Sequence, residues 1–216
     1  SIAYTNLNVK IASTHPGLAV GVDGATHQSL DDLALMRVLP NMTVLAPSDQ
    51  VQTRKAVLKA VEQEGPVYLR IGRMECPVFF REEMEFEIGK AYVLREGTDV
   101  TLIAHGSMVG VIYEAAQILA EKGIQARVID MPTIKPLDQA AIRQAAQETK
   151  AIVTAEDHFL CGGLYSAVCE VVAGLVPVRG VAVRDTFGES GTPAELYEKY
   201  GLTPNSVVEE VFHALH

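Results

Sequence analysis

No apolar run in these 216 residues approaches the roughly 20 that a membrane-spanning helix needs. A membrane protein of helical type is therefore not expected. The opening SIAYTNLNVK has neither the basic n-region nor the apolar h-region of a secretory signal. Cysteine is scarce: Cys76, Cys161 and Cys169 are odd in number and show no C-x-x-C spacing. A disulfide framework is not indicated, and a reducing, cytoplasmic location is the expectation. Basic residues are outnumbered, 18 Lys and Arg against 27 Asp and Glu, for a net charge of −9. That balance argues against nucleic acid as a partner, though a local basic pocket for a small phosphate stays compatible with it. There is no P-loop, no G-x-S-x-G elbow and no G-x-G-x-x-G opening a helix. What is present is ordinary globular material, 48% hydrophobic and 21% charged, enough for one large or two small domains.

Apolar runs alternate with helical periodicity throughout. NVKIAS (8–13), TVLAPS (43–48) and PVYLRIGR (66–73) read as strands. Between them lie a helix opened by Ser29, with Asp32 as its capping-box partner, and a helix capped by Ser48. The first of these, with Leu30, Leu33, Ala34, Leu35, Val38 and Leu39, is apolar on most sides and expected to be buried. Strand, helix, strand in sequence predicts right-handed parallel crossovers. Residues 74–90 carry five glutamates without a period and read as a linker or a long surface loop. The alternation then resumes: strands at 100–106, 126–131, 151–156 and 179–184, helices over 108–119, 137–147 and from Leu164, and two short helices near 193–200 and 205–214. The fold class is α/β, with units at 1–73 and 91–216 and the linker between them. The second unit has elements enough to fold alone. Three parallel strands in the first leave a long apolar edge, a liability that implies a missing neighbour.

In open α/β sheets ligands bind beyond the carboxyl ends of the strands. STHPGLAVGVDGATHQ (13–28) follows the first strand and Arg73 ends the third. His15, Asp23 and His27 are spaced eight and then four apart, which matches no common zinc pattern, and no cysteine joins them. Two readings stand: a glycine-rich turn with polar punctuation, or a polar pocket whose imidazoles and carboxylate hydrogen-bond a polyhydroxylated substrate. In the second, His15 and Arg73 hold an anionic tail, the planar guanidinium suiting phosphate. Gly162–Gly163 reads as a packing device, with a phosphate cradle as the alternative. Glu156-Asp157-His158 reads as a charged strand-to-helix turn at a domain or subunit contact, with an acid–base cluster as the alternative.

The stretch THPGLAVGVDGATHQSLDDLALMRVLPNMTVLAPSD, followed by GPVYLRIGR, closely resembles the transketolase family, and IAHGSM, IDMPTIKPLD and TAEDHFLCGGLYSAV resemble its C-terminal domain. The resemblance covers essentially the whole chain and is strongest to the C-terminal section, or separate C-terminal subunit, of the split form. It implies a partial parallel-sheet pyrimidine-binding domain over 1–73 and a three-layer α/β/α domain over 91–216. It implies transfer of a two-carbon ketol unit between sugar phosphates, with thiamin diphosphate and a divalent metal, Mg, in the complete enzyme. His27 resembles the catalytic histidine that contacts the donor C1 hydroxyl and the cofactor-bound intermediate. Asp23 resembles the reader of hydroxyl configuration, and His15 and Arg73 resemble phosphate contacts. The family's activating glutamate belongs to a GIAEQN-like segment that would precede Ser1, and the diphosphate-binding domain has no counterpart in the chain. The expectation is a truncated section, inactive alone, without bound cofactor or metal, that partners an N-terminal diphosphate-binding section or subunit and forms a homodimer. DGATHQ is shared with other thiamin enzymes, so deoxyxylulose-phosphate synthases and 2-oxoacid dehydrogenase β subunits stay open. Thr14–His15 replaces the aspartate–arginine pair usual in the former. A non-catalytic assembly module is the alternative of a different class.

Overall fold

Residues 1–74 and 76–216 are described by a computed structural model. The apolar runs of the first half form β1 (Lys10–Thr14), β2 (Thr43–Leu45) and β3 (Val67–Ile71), joined by α1 (Asp32–Val38) and α2 (Gln50–Glu62). β3 lies between β1 and β2 and is parallel to both. The second half contributes β4 (Tyr92–Arg95), β5 (Val100–Ala104), α3 (Met108–Glu121), β6 (Ala126–Asp130), β7 (Thr133–Lys135), α4 (Gln139–Glu148), β8 (Ile152–Phe159), α5 (Leu164–Val172), β9 (Val178–Val183), α6 (Pro193–Lys199) and α7 (Pro204–Leu215). Its sheet runs β4-β6-β5-β8-β9, parallel except for the β4 edge.

Side-chain alternation puts this second sheet in the middle of three layers. Leu102 and Ala104 of β5 pack with Met108, Ile112, Val207 and Val211 of α3 and α7. Ile103, between them, faces the other way, toward Ile142 of α4 and Val168 of α5. Both faces are covered, as a parallel sheet requires.

The edge of the first sheet is closed from within the chain. The chain leaves the second sheet after Asp130, and β7 pairs antiparallel with β2, giving the order β1-β3-β2-β7. A three-residue strand between Pro132 and Pro136 shows no period, which hides it in the sequence. The sheet then ends on β7, three residues long between two prolines, and on β1, which is only partly buried and carries Lys10, Ser13 and Thr14, a polar composition that blunts strand addition. One core joins the halves: Leu33, Val44 and Tyr68 pack with Ile103, Ile129, Met131 and Ile134. The opposite face of the first sheet packs Leu45, Val67 and Leu69 on Ala56 and Ala60 of α2 and on Phe86.

Three local expectations are corrected. α1 starts at Asp32 rather than Ser29, and no side chain caps it from Asp31. Asp32 is instead drawn inward to Arg70, 38 residues away, so no capping box forms. α1 is also not buried on most sides, since Leu35 and Val38 are 57% and 72% exposed. Asp49, not Ser48, caps α2, its carboxylate accepting from the Gln52 amide at 2.8 Å. The Ser48 hydroxyl donates to Asp130 at 2.9 Å across the two halves.

Candidate functional site

β1 and β3 end side by side, Thr14 opposite Ile71, and the chain leaves both at the carboxyl edge. The His15 amide adds one more bond to this ladder, donating to the Ile71 carbonyl at 3.1 Å. Its φ of +62° then throws the backbone out of the strand direction. Gly17, with φ +76°, completes the turn. A 3₁₀ segment, Leu18–Asp23, kinked at Gly21, carries the loop outward. Arg73 follows the end of β3 and donates from Nη1 to the Val20 carbonyl at 2.9 Å, which ties it to this loop. Its other N–H groups have no partner among the described residues. His15, Asp23, His27 and Arg73 are all exposed. His15 and Arg73 thus share one end of one sheet, while Asp23 and His27 lie further along the loop that leaves it, His27 held by Thr26 Oγ1 at 3.0 Å from Nδ1. A neighbouring cleft of about 620 Å³, lined by Ser48, Asp49, Gly72 and Ser107, does not include them.

Residues from the second half hold the loop. Asp157 Oδ1 accepts from the Leu18 amide at 3.0 Å, and Oδ2 accepts from the Tyr197 hydroxyl at 2.9 Å. Gln28, buried, donates from Nε2 to the Glu189 carbonyl at 2.9 Å. Gly188 lies so close to Gln28 that a Cβ would stand 1.9 Å from its Oε1. Beneath the loop, Arg70 donates to Asp32 and, from Nη2, to the Asp157 carbonyl at 2.8 Å. Burial by itself would raise the Asp32 pKa, but the charge and hydrogen bond of Arg70, with the Tyr68 hydroxyl, hold it below the usual carboxyl range. Burial and Asp32 together push the Tyr68 phenol up.

The Glu156-Asp157-His158 tripeptide is the hub of this contact, and it lies within β8 rather than in a turn beyond it. Each of its side chains accepts an N–H from the first turn of a different helical segment. Glu156 takes the amides of Leu164 and Tyr165 in α5 at 2.7 and 2.8 Å. Asp157 takes Leu18 at the start of the 3₁₀ segment. His158 Nε2 takes Ala34 in α1 at 3.3 Å, and that network assigns the ring proton to Nδ1, 2.6 Å from the Phe159 carbonyl. These satisfy donors that a helix start leaves open. Gly163 serves this packing: a Cβ there would lie 2.0 Å from Glu156 Oε2. The sequence marks Asp157 only as part of the charged tripeptide, without its partners, and it does not mark Gln28 or Arg70. Each has a partner 87 to 161 residues away, and no local signal marks such contacts.

Family models described as "Transketolase, pyrimidine binding domain" and "Transketolase, C-terminal domain" match residues 1–78 and 89–207. The chain belongs to the transketolase family. A solved structure described as "Split gene transketolase, inactive beta4 tetramer" superposes on this transketolase-family chain with a TM-score of 0.93 and 52% identity, over 100% of this chain and 69% of that one. An apulose-4-phosphate transketolase subunit of Phocaeicola vulgatus is 45% identical over 95% of this chain and 67% of its own. The 1-deoxy-D-xylulose-5-phosphate synthase of Desulforudis audaxviator is 42% identical over 96% of this chain, but only 33% of its own. The chain spans about two thirds of the length of the transketolase relatives it matches.

Proposed function

We propose that this chain forms the substrate-facing lip of a thiamin-diphosphate-dependent transketolase, working with a diphosphate-binding section supplied by another segment or subunit. One observation carries the reading: His15 and Arg73 flank the carboxyl ends of adjacent parallel strands, and the same loop displays Asp23 and His27 on an open surface. In this reading Arg73 and His15 hold the sugar phosphate, and Asp23 accepts from substrate hydroxyls. His27 orients the C1 hydroxyl of the donor ketose. Among the described residues no group of three or more His, Cys, Asp or Glu is placed to hold a metal ion. In this reading the diphosphate end of the cofactor and its cation belong to the other section, and the chain alone is expected to be inactive. Association into a homodimer would use the second half, since the β1 edge is polar. The three free cysteines accord with a cytoplasmic setting.

The identity shared with deoxyxylulose-phosphate synthases favours a second reading, in which the donor is a 2-oxoacid that loses carbon dioxide. Thr14–His15 speaks for ketol transfer, because it replaces the pair usual in those enzymes. The test combines the chain with the N-terminal section, thiamin diphosphate, Mg and an aldose phosphate acceptor. Xylulose 5-phosphate is supplied as donor in one arm and a 2-oxoacid in the other. Turnover of the ketose, only when both sections are present, is expected. Turnover of the 2-oxoacid alone would install the second reading, and neither would point to an assembly module.

A further inference from the structure

We propose that Asp157 is a positioning residue for the substrate-facing loop, so that the C-terminal half of the chain sets how His15, Asp23 and His27 are presented. Gly17 sits directly on the Asp157 carboxylate: a Cβ on Gly17 would stand 2.1 Å from Oδ2 and 2.7 Å from Oδ1. The next residue, Leu18, is fully buried and donates its amide to Oδ1 at 3.0 Å. Asp157 itself is 3% exposed and cannot swing away to solvent. Its other oxygen is fixed by Tyr197, whose hydroxyl lies 3.1 Å from Ser107 Oγ. Its main-chain carbonyl takes the guanidinium that also holds Asp32. The start of the loop is therefore referenced to β8 of the other sheet, and not only to the strand it leaves. A buried amide whose acceptor is removed has nothing to replace it, which makes this bond a sensitive point. The catalytic consequence of the proposal rests on the transketolase reading. The positioning itself does not.

The test compares Asp157→Ala, Asp157→Asn and Gly17→Ala in the 216-residue chain, at temperatures well below their unfolding transitions. Asn retains an oxygen for the Leu18 amide and a polar partner for Tyr197. Gly17→Ala meets the carboxylate from the loop side, adds the strain of a side chain at φ +76°, and leaves the sequence of β8 unaltered, so Asp157→Ala is the variant that isolates the bond. Hydrogen exchange at the Leu18 amide should quicken about tenfold or more in Asp157→Ala and Gly17→Ala and stay near wild type in Asp157→Asn. The ring signals of His15 and His27 should shift in the same two variants, while amides of β5 and β6 keep their protection. In the assembled enzyme, Asp157→Ala should lower kcat/KM about tenfold, and Asn should restore it. Unmoved Leu18 exchange and histidine signals in a folded Asp157→Ala or Gly17→Ala overturn the proposal. So does an Asn variant as perturbed as Ala. If the wild-type assembly shows no ketol transfer, the transketolase reading falls, and the exchange and ring signals still decide the positioning.

Discussion

Arg73 commits one N–H to the Val20 carbonyl and is otherwise exposed, and His27 is exposed with Thr26 Oγ1 as the hydrogen-bond partner of its ring among the described residues. Neither supports a core, so replacing them separates function from folding. Arg73→Ala in the assembled enzyme should raise KM for sugar phosphates about 10- to 100-fold, the worth of a charge-assisted hydrogen bond, with the melting temperature within a degree or so of wild type. His27→Ala should lower kcat more than it raises KM. Steady-state kinetics beside thermal melts check both. Asp130 is the opposite kind of residue. It is fully buried, and burial pushes its pKa to about 7 although Ser48 and Gln52 both donate to it. A carboxyl raised from 3.8 in the unfolded chain to about 7 in the fold binds its proton more tightly when folded. Its contribution is complete below pH 3.8 and is lost as pH rises toward 7, by on the order of 4 kcal/mol at most. Asp130→Asn should therefore flatten the stability profile between about pH 4 and 7 relative to wild type, measured by urea unfolding. An unchanged slope would show that Asp130 does not titrate in that window.

At the scale of elements, β8 organises three helix starts through three successive side chains, and Gly163 leaves the room for one of them. Gly163 has a negative φ, −84°, and the methyl of Gly163→Ala meets Glu156 Oε2. The cap on α5 must then shift or break, at a cost of about 2–3 kcal/mol. Gly72→Ala, with nothing within 4 Å of its Cβ, should stay within about 0.5 kcal/mol. Equal losses in chemical denaturation would dismiss the packing role. The same elements show what local pattern reveals. β5 and β8 were legible because their apolar runs are buried on both faces and bounded by turns. α3 was legible from Met108, Ile112, Ala115 and Leu119 at helical spacing. The caps were misplaced where a distant partner competed for the capping side chain, Arg70 for Asp32 and Asp130 for Ser48. The candidate site residues stood out because a run of small, polar residues cannot fill a core. Of the residues that hold them, Gln28 did not and Asp157 did so only within a charged tripeptide, because both act on backbone groups far along the chain.

Across the whole molecule the decisive feature is that two sheets share one core and one connecting strand. The chain passes from β6 to β7 in two residues and so crosses from the second sheet to the first. The Ala46 amide donates to the Pro132 carbonyl at 2.7 Å and the Gly106 amide to the Ala46 carbonyl at 3.2 Å, so the crossing is stitched on both sides. Separating the halves would expose Val44, Tyr68, Ile129 and Ile134 together and unpair β2 along one edge. The first half, three parallel strands and two helices, has too little buried area to stand that loss. Calorimetry should therefore record a single cooperative transition for the whole chain rather than one for each half. Ile134 tests the coupling directly, because it lies in β7 and is 2% exposed in the shared core. Ile134→Ala should cost about 2–5 kcal/mol and move that one transition as a unit. Hydrogen exchange should then show β3 and β5 losing protection by similar factors, although neither carries the substitution. Two resolved transitions, with the second half melting where it does in the wild type, would mean that the halves are stable separately and that β7 merely decorates the first sheet.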